Sequence, residues 1–292
     1  MFFQNPSTSM TSSPSPRTVL ITGCSGGIGA ALAHEFHARG CRVWATARRL
    51  DALKPMADLG MRVAALDVND AQAVQRMAAQ LQAEEGRLDL LVNNAGYGQF
   101  GAVVDVDAEA MRRQFDTNVI APMRLVQTLL PLLRAAAPGA CVANVGSISG
   151  LVTTPFAGVY CASKAALHAL SDALRMELAP LGIHVVTIQP GAIASHFGDA
   201  GAEHVQIAAD SPYASIAAAV SARARASQEG ATPAADFARE VVDHLLRSDP
   251  APVCRTGAQS TRLPLLKKLL STRRLDAALG RRFGLDRLRI AR

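Results

Sequence analysis

Along most of the chain, short runs of β-branched and other apolar residues alternate with longer Ala- and Leu-rich stretches of helical composition. Thr18–Thr22, Arg42–Thr46, Arg62–Leu66, Asp89–Val92, Cys141–Val145 and His184–Ile188 are predicted as strands, and the segments between them as helices. Alternation of this kind predicts a parallel sheet with helices on both faces. Several of the runs are apolar at nearly every position, which fits strands covered on both sides. After the sixth strand, Pro190-Gly191 opens a Gly-, Ala- and Ser-rich stretch to about Ser211 in which periodicity fades, so a mobile loop or lid is predicted. Ala214–Gln228 and Ala235–Leu246 read as helices again, Pro252–Arg255 as a seventh strand, and Leu263 to Arg289 as basic amphipathic helix.

With 292 residues, 49% of them apolar and only 18% charged, the chain can bury one large core. A single α/β domain is predicted over residues 17–260, with 261–292 as a helical extension of it. Residues 1–16 are rich in Ser, Thr and Pro and lack the basic and apolar regions of a signal peptide, so a disordered leader is expected. No run approaches the ~18 uninterrupted apolar residues of a membrane-spanning helix, and a cytoplasmic protein is expected. The five cysteines are odd in number and scattered, which suits reduced, buried thiols better than a zinc site or a disulfide framework. The formal charge of +6 is unevenly placed: from Arg262 to Arg292 ten Lys or Arg stand against two Asp, so the rest of the chain is slightly acidic. Such a body is not expected to bind nucleic acid.

Candidate chemistry begins where the first strand runs into Gly23-Cys-Ser25-Gly-Gly27-Ile28-Gly29, followed by helical composition. A turn tight enough to place a pyrophosphate on a helix N-terminus needs residues without a Cβ, and Gly23, Gly27 and Gly29 fill those places. Cofactor type is decided at the end of the second strand, where an acid would bind the adenosine ribose hydroxyls and a base would pair with a 2′-phosphate. Here Ala47 stands where the acid would be and Arg48 follows, which predicts a preference for NADP(H) over NAD(H).

Farther along, Tyr160-Cys-Ala-Ser-Lys164 puts a phenol and an ammonium on one helical face. A phenol of ordinary pKa about 10 exchanges protons poorly at neutral pH, and a neighbouring cation is expected to lower that value. Ser147 lies at the end of the fifth predicted strand and Asn93-Asn94-Ala95-Gly96 at the end of the fourth, both at the carboxyl edge where α/β sheets bind ligands. Ser149 is a second hydroxyl near that edge, with a lesser, substrate-side role expected. His168 and Cys161 lie on the same helical stretch and are adequately explained by packing. Neither the chemistry nor any His/Asp cluster calls for a metal.

Taken in order and spacing, Thr22-Gly-x-x-x-Gly-x-Gly29, Asn93-Asn-Ala-Gly96, Asn118, Ser147, Tyr160-x-x-x-Lys164 and Pro190-Gly191 resemble the short-chain dehydrogenase/reductase family over residues 17–192. The resemblance implies a Rossmann-type, doubly wound sheet of about seven strands with a C-terminal helical extension. By the same resemblance, Tyr160 would be the general acid/base, Ser147 would hold the substrate oxygen, and Asn118 would fix a water in the proton relay. Lys164 would bind the nicotinamide ribose. Asp67 and Val68 match residues at the adenine, Asn94 and Gly96 a partly structural turn, and Ile193 and Ser195 the contacts to the nicotinamide carboxamide, Ser195 replacing the more usual Thr. Local similarity points to the 17β-hydroxysteroid and retinol dehydrogenase branch.

An apolar pocket of Leu151, Val152, Phe156, Phe197 and Tyr213 would suit a hydrophobic ketone, aldehyde or secondary alcohol. The basic tail is expected to pack beside the cleft or a neighbouring subunit, with contact to an anionic membrane surface through Lys267, Lys268, Arg273 and Arg274 as the alternative. The resemblance also implies a homodimer or homotetramer built on the helices around Met111–Arg134 and Tyr160–Leu178. The rival functional reading is a protein that senses NADP(H) without catalysis.

Overall fold

The computed structural model describes residues 16–195, 197–202, 205, 207, 210–226 and 228–288. The leader anticipated at the N-terminus, up to residue 15, and the tail from Arg289 onward lie outside the described residues. Seven strands form: β1 (Thr18–Ile21), β2 (Arg42–Ala47), β3 (Arg62–Ala65), β4 (Leu90–Asn93), β5 (Ala140–Val145), β6 (Ile183–Pro190) and β7 (Val253–Thr256). They make one parallel sheet in the order β3-β2-β1-β4-β5-β6-β7. The order reverses between β1 and β4, where Val19 pairs with Val43 on one side and Leu90 on the other. At such a switch point the connections leave in opposite directions, and a crevice opens at the carboxyl edge of the sheet.

The helices are α1 (Gly27–Ala38), α2 (Lys54–Asp58), α3 (Ala71–Glu84), α4 (Ala108–Phe115), α5 (Ala121–Ala136), α6 (Gly158–Leu178), α7 (Phe197–Ala202), α8 (Ala217–Arg225), α9 (Ala234–Leu245), α10 (Arg262–Leu269) and α11 (Thr272–Arg282). Alternation along each strand sends side chains to opposite faces. Val19, Ile21, Val43 and Val92 therefore pack with Leu32 and Phe36 of α1 and Phe237 and Val241 of α9. Leu20, Trp44, Leu91 and Val142 pack on the other face with Leu81 of α3, Leu125 and Leu129 of α5 and Leu178 of α6. This doubly covered sheet accounts for the apolar strands, with β6 longer at both ends than the sequence pattern suggests and β7 displaced by one residue.

A π-helical turn, Asp116–Ile120, joins α4 to α5 without a break. The continuous helix Ala108–Ala136 is long and apolar enough by composition to cross a membrane, yet half of its most apolar window is buried inside the protein, against α3, β4 and β5.

The stretch after Pro190 departs from the expected loop, because it contains α7. Its glycines permit close packing: a Cβ on Gly198 would come within 2.8 Å of the Ala224 carbonyl oxygen, and one on Gly201 within 2.5 Å of the Phe100 ring. Small residues there let α7 lie against α8 and the Phe100 segment, so tertiary contact overrides the loop-like composition. The Ala214–Gln228 region holds a 3₁₀ turn, Ala214–Ile216, followed by α8.

Candidate active site

One cleft of about 1140 Å³ runs along the carboxyl edge of the sheet. At one end stands the turn between β1 and α1. Gly23 and Gly27 adopt φ of +74° and +54°, a region that side chains resist. By helix geometry the first-turn N–H groups of Gly27, Ile28 and Gly29 have no acceptor within α1, and they stand at the positive end of its dipole. Ser25 shares the rim of this cradle. No room exists for larger residues beneath it, since a Cβ on Gly23 would lie 2.8 Å from Ala95 Cα.

Two asparagines of the site are braces. Asn94 Nδ2 donates to the carbonyls of Thr22 (2.8 Å) and Gly23 (3.1 Å), while Thr22 Oγ1 accepts from the N–H groups of Asn94 and Ala95 at 3.0 Å each. The turns after β1 and β4 are thereby tied together. Asn118 is buried in the π turn and does not line the cleft. Its Nδ2 donates to the Tyr97 carbonyl (3.0 Å) and to Ser163 Oγ (3.1 Å), and its Oδ1 accepts from Tyr97 N–H (3.2 Å). Its side chain is spent on holding the loop of Gly96 and Tyr97, within an irregular stretch of helical backbone. The extra residue per turn of π-helix supplies such irregular backbone.

Farther along the rim, Arg48 lines the cleft, exposed and with no ion pair among the described residues, whereas Arg49 is turned onto Asp51 at 3.0 Å. Asp67 also lines the cleft, and its carboxylate accepts the Asn69 N–H at 2.9 Å. Val68 stands beside it, and Arg124 donates to the Val68 and Asn69 carbonyls at 3.3 and 3.0 Å. Pro190, Gly191, Ile193 and Ser195 border the opposite wall after β6, where the Ser195 N–H donates to Gln228 Oε1 at 2.9 Å.

Between the two walls lie Ser147, Tyr160 and Lys164, all buried and all facing the cleft. Ser147 Oγ accepts the Ser149 N–H at 3.0 Å, which leaves its proton free to donate. Lys164 Nζ donates to the Val145 carbonyl at 2.7 Å and sits 6.0 Å from the centre of the Tyr160 ring. Burial pulls Lys164 down to about 8. The sequence expectation was a phenol lowered by that ammonium. In this arrangement burial pushes Tyr160 up to about 12, with a hydrogen bond to Ser147 and the charge of Arg223 opposing it. Lys164 is turned onto a backbone carbonyl, so burial wins.

His168 does more than fill space on α6. Its Nε2 accepts the Ser147 N–H at 3.3 Å, and a Cβ on Gly146 or Gly150 would meet the ring at 2.2 or 2.7 Å. Burial first, then the Lys164 charge, lowers His168 to about 4. The unfolded chain takes up this proton near pH 6.5 and the folded chain resists until about 4, so the stabilisation is full above 6.5 and is lost as pH falls. The expected cost at pH 5 is about 2 kcal/mol. In urea unfolding, His168→Gln should lose less stability between pH 7.5 and 5 than the parent; parallel losses would rule out this role.

Several wall residues carried no sequence signal. Phe100 contacts Tyr160 and Phe197, with ring centres 5.9 and 6.4 Å away, and Tyr160 and Phe197 are 5.5 Å apart. Thr154, Arg223, Leu263, Leu279, Arg282 and Phe283 also line this end. The tail thus supplies part of the cleft wall through α10 and α11, and Lys267 Nζ anchors it on the Leu151 carbonyl at 2.6 Å. Of the expected pocket residues, Val152 and Phe197 line the cleft. Phe156 and Tyr213 instead pack edge to face, 5.7 Å apart, in a satellite core with Ile216 and Val220, and Leu151 likewise lies outside the lining. All five cysteines are free and buried.

The model of the short chain dehydrogenase family matches residues 17–205. A short-chain dehydrogenase, PC-15 of Penicillium crustosum, is 38% identical over 234 residues, 79% of this chain and 84% of that protein. Among solved structures, a short-chain dehydrogenase from Streptomyces avermitilis superposes with a TM-score of 0.78 at 30% identity, covering 94% of this chain and 98% of the other. The Pseudomonas aeruginosa RhlG/NADP active-site complex gives a TM-score of 0.60 at 34% identity over 64% and 77% of the two chains.

Proposed function

Because the chain belongs to the short chain dehydrogenase family and is an oxidoreductase of that family, we propose that it uses NADP(H) to interconvert a hydrophobic ketone or aldehyde and the corresponding alcohol, with Tyr160 as general acid/base. The observation that carries this reading is the convergence of Ser147, Tyr160 and Lys164 in one cleft continuous with the glycine turn.

The residues present fit such a cofactor, because the turn packs so closely on the segment after β4 that only glycine is accommodated at positions 23 and 29, which leaves the α1 N–H groups facing the cleft. Gly23, Ser25, Gly27, Ile28 and Gly29 would hold the pyrophosphate, Arg48 the 2′-phosphate, Asp67 and Val68 the adenine, and Lys164 the nicotinamide ribose. Asn94 and Gly96 shape the floor; Pro190, Gly191, Ile193 and Ser195 border the nicotinamide end. When bound, the reduced nicotinamide supplies the hydride and its oxidised form accepts one. Ser147 donates a hydrogen bond to the substrate oxygen as negative charge develops there. Tyr160 gives its proton to that oxygen in reduction and takes it back in oxidation. Lys164 and Arg223 place positive charge beside the resulting phenolate. The Phe100 and Phe197 rings exclude water from the phenol.

A screen of hydrophobic ketones and aldehydes, read as NADPH oxidation, tests the activity. Cofactor choice has its own test. A charge-assisted contact to a phosphate contributes roughly 1.5–3 kcal/mol, so Arg48→Ala should reduce the NADPH/NADH ratio of kcat/KM by about 10- to 100-fold. A parent enzyme with the higher kcat/KM on NADH would end the NADP(H) assignment.

A further inference from the structure

Arg223, on α8, is a buried cation at the substrate end of the cleft, only 7% exposed. Its Nε and Nη2 both donate to Thr154 Oγ1, at 3.0 and 2.8 Å. Its guanidinium lies between two rings, with Cζ 5.4 Å from the centre of Phe100 and 5.2 Å from that of Phe283. Among the described residues no carboxylate pairs with it. A second cation, Arg282, lies 5.9 Å from the centre of the Phe283 ring and is paired with Glu229 at 3.6 Å.

A guanidinium taken out of water is costly unless a counter-charge meets it, and a single neutral hydroxyl spends only part of its five donors. Proteins avoid this arrangement in structural cores, where Arg is nearly always paired. It is useful where a ligand brings the missing charge, because the planar fork matches a carboxylate and the clamping rings preorganise it. Apart from Thr154 and Arg282, which is already paired with Glu229, this end of the cleft is walled by Phe100, Val152, Phe197, Leu263, Leu279 and Phe283.

We propose that Arg223 is a substrate-specificity residue, and that the ketone or aldehyde taken by this site carries a carboxylate on an apolar skeleton, paired with the Arg223 guanidinium. This deepens the reductase reading and rests on it for the reacting carbonyl, though not for the anion site itself. The carboxylate stays intact throughout; only the carbonyl gains the hydride and the Tyr160 proton.

The test compares 5-oxodecanoate with its methyl ester as substrates for NADPH oxidation by the full chain, and the heat stabilisation of the NADP⁺-loaded protein by decanoate against decan-1-ol. The wild type should favour the acid over the ester by about 10- to 100-fold in kcat/KM, and decanoate should raise Tm more than decan-1-ol does. Arg223→Met should bring both ratios close to one, and Arg223→Lys should retain part of each. NADPH binding by fluorescence shows whether a variant is folded; should Arg223→Met fail there, Arg223→Lys and the wild-type ratios decide. An ester turned over as well as the acid overturns the anion site and leaves the reductase reading standing. Arg223-dependent stabilisation by decanoate without turnover of either ketone does the reverse. Absence of both effects overturns the anion site outright, as does a wild-type preference that Arg223→Met leaves unchanged.

Discussion

Replacing Tyr160 with Phe is expected to reduce kcat by about a thousandfold or more while NADPH affinity stays within a few fold. The substitution removes one oxygen and keeps the ring, whose packing against Phe100 and Phe197 is unchanged. Stability should therefore shift little, and a fall in turnover would report chemistry. The environment explains why no neighbour replaces the phenol. Ser147, proposed to hold the substrate oxygen, carries a proton far too weakly acidic to give up, and Lys164 donates to the Val145 carbonyl. His168 is turned away from the substrate onto the Ser147 N–H. Burial, which pushes Tyr160 up to about 12, keeps the phenol protonated through neutral pH and so arms it as an acid for reduction. Oxidation needs the phenolate, so its rate should climb with pH while reduction stays level until the alkaline range. A Phe variant retaining more than a tenth of parental kcat would remove Tyr160 from the mechanism.

Much of this site is readable from the chain because its parts answer to local demands. Glycines at the first turn are imposed by backbone geometry, and a Tyr and a Lys four residues apart on α6 share a face whatever the tertiary context. Strand runs were legible for a similar reason: with both faces covered, every position of β1 and β5 is buried. What escaped notice depends on distant segments meeting. Arg223 is one cation among many in a helical stretch, and its place between Phe100 and Phe283 exists only once α8, the loop after β4 and the end of α11 converge. Phe156 and Tyr213 were plausible pocket residues by type and position, yet α8 gives them a core of their own. In the Gly-rich segment after β6 the composition hid the short helix α7, because small residues serve close packing as readily as a loop, as the neighbours of Gly198 and Gly201 show. Asn118 illustrates a subtler limit: its residue type and spacing say nothing of the buried side chain that braces the Gly96–Tyr97 loop.

The glycine turn gives the sharpest contrast of expected effects, because Gly26 and Gly29 lie three residues apart and should respond with opposite signs. An Ala Cβ at Gly29 would lie 2.3 Å from the Gly23 carbonyl oxygen and 2.5 Å from Asn94 Nδ2. Neither can yield cheaply: the first is backbone inside the turn, and the second is held by its hydrogen bonds to Thr22 and Gly23. Relief requires the turn to widen and the β1–β4 tie to break, which costs on the order of 3 kcal/mol and lowers Tm by roughly 5 °C or more. The same widening moves the α1 N–H groups away from the pyrophosphate, so NADPH affinity should fall by about 100-fold. At Gly26 the φ of 171° is extended backbone, and a Cβ would meet nothing within 4 Å. Gly26→Ala should leave the fold intact and stabilise it by a few tenths of a kcal/mol, through the smaller entropy of the unfolded chain. Thermal unfolding and NADPH titration of the two variants side by side measure both effects. A Gly29→Ala protein as stable as the parent and binding NADPH as tightly would mean that this turn does not hold the cofactor, because the close contact that defines the cradle would then carry no energy.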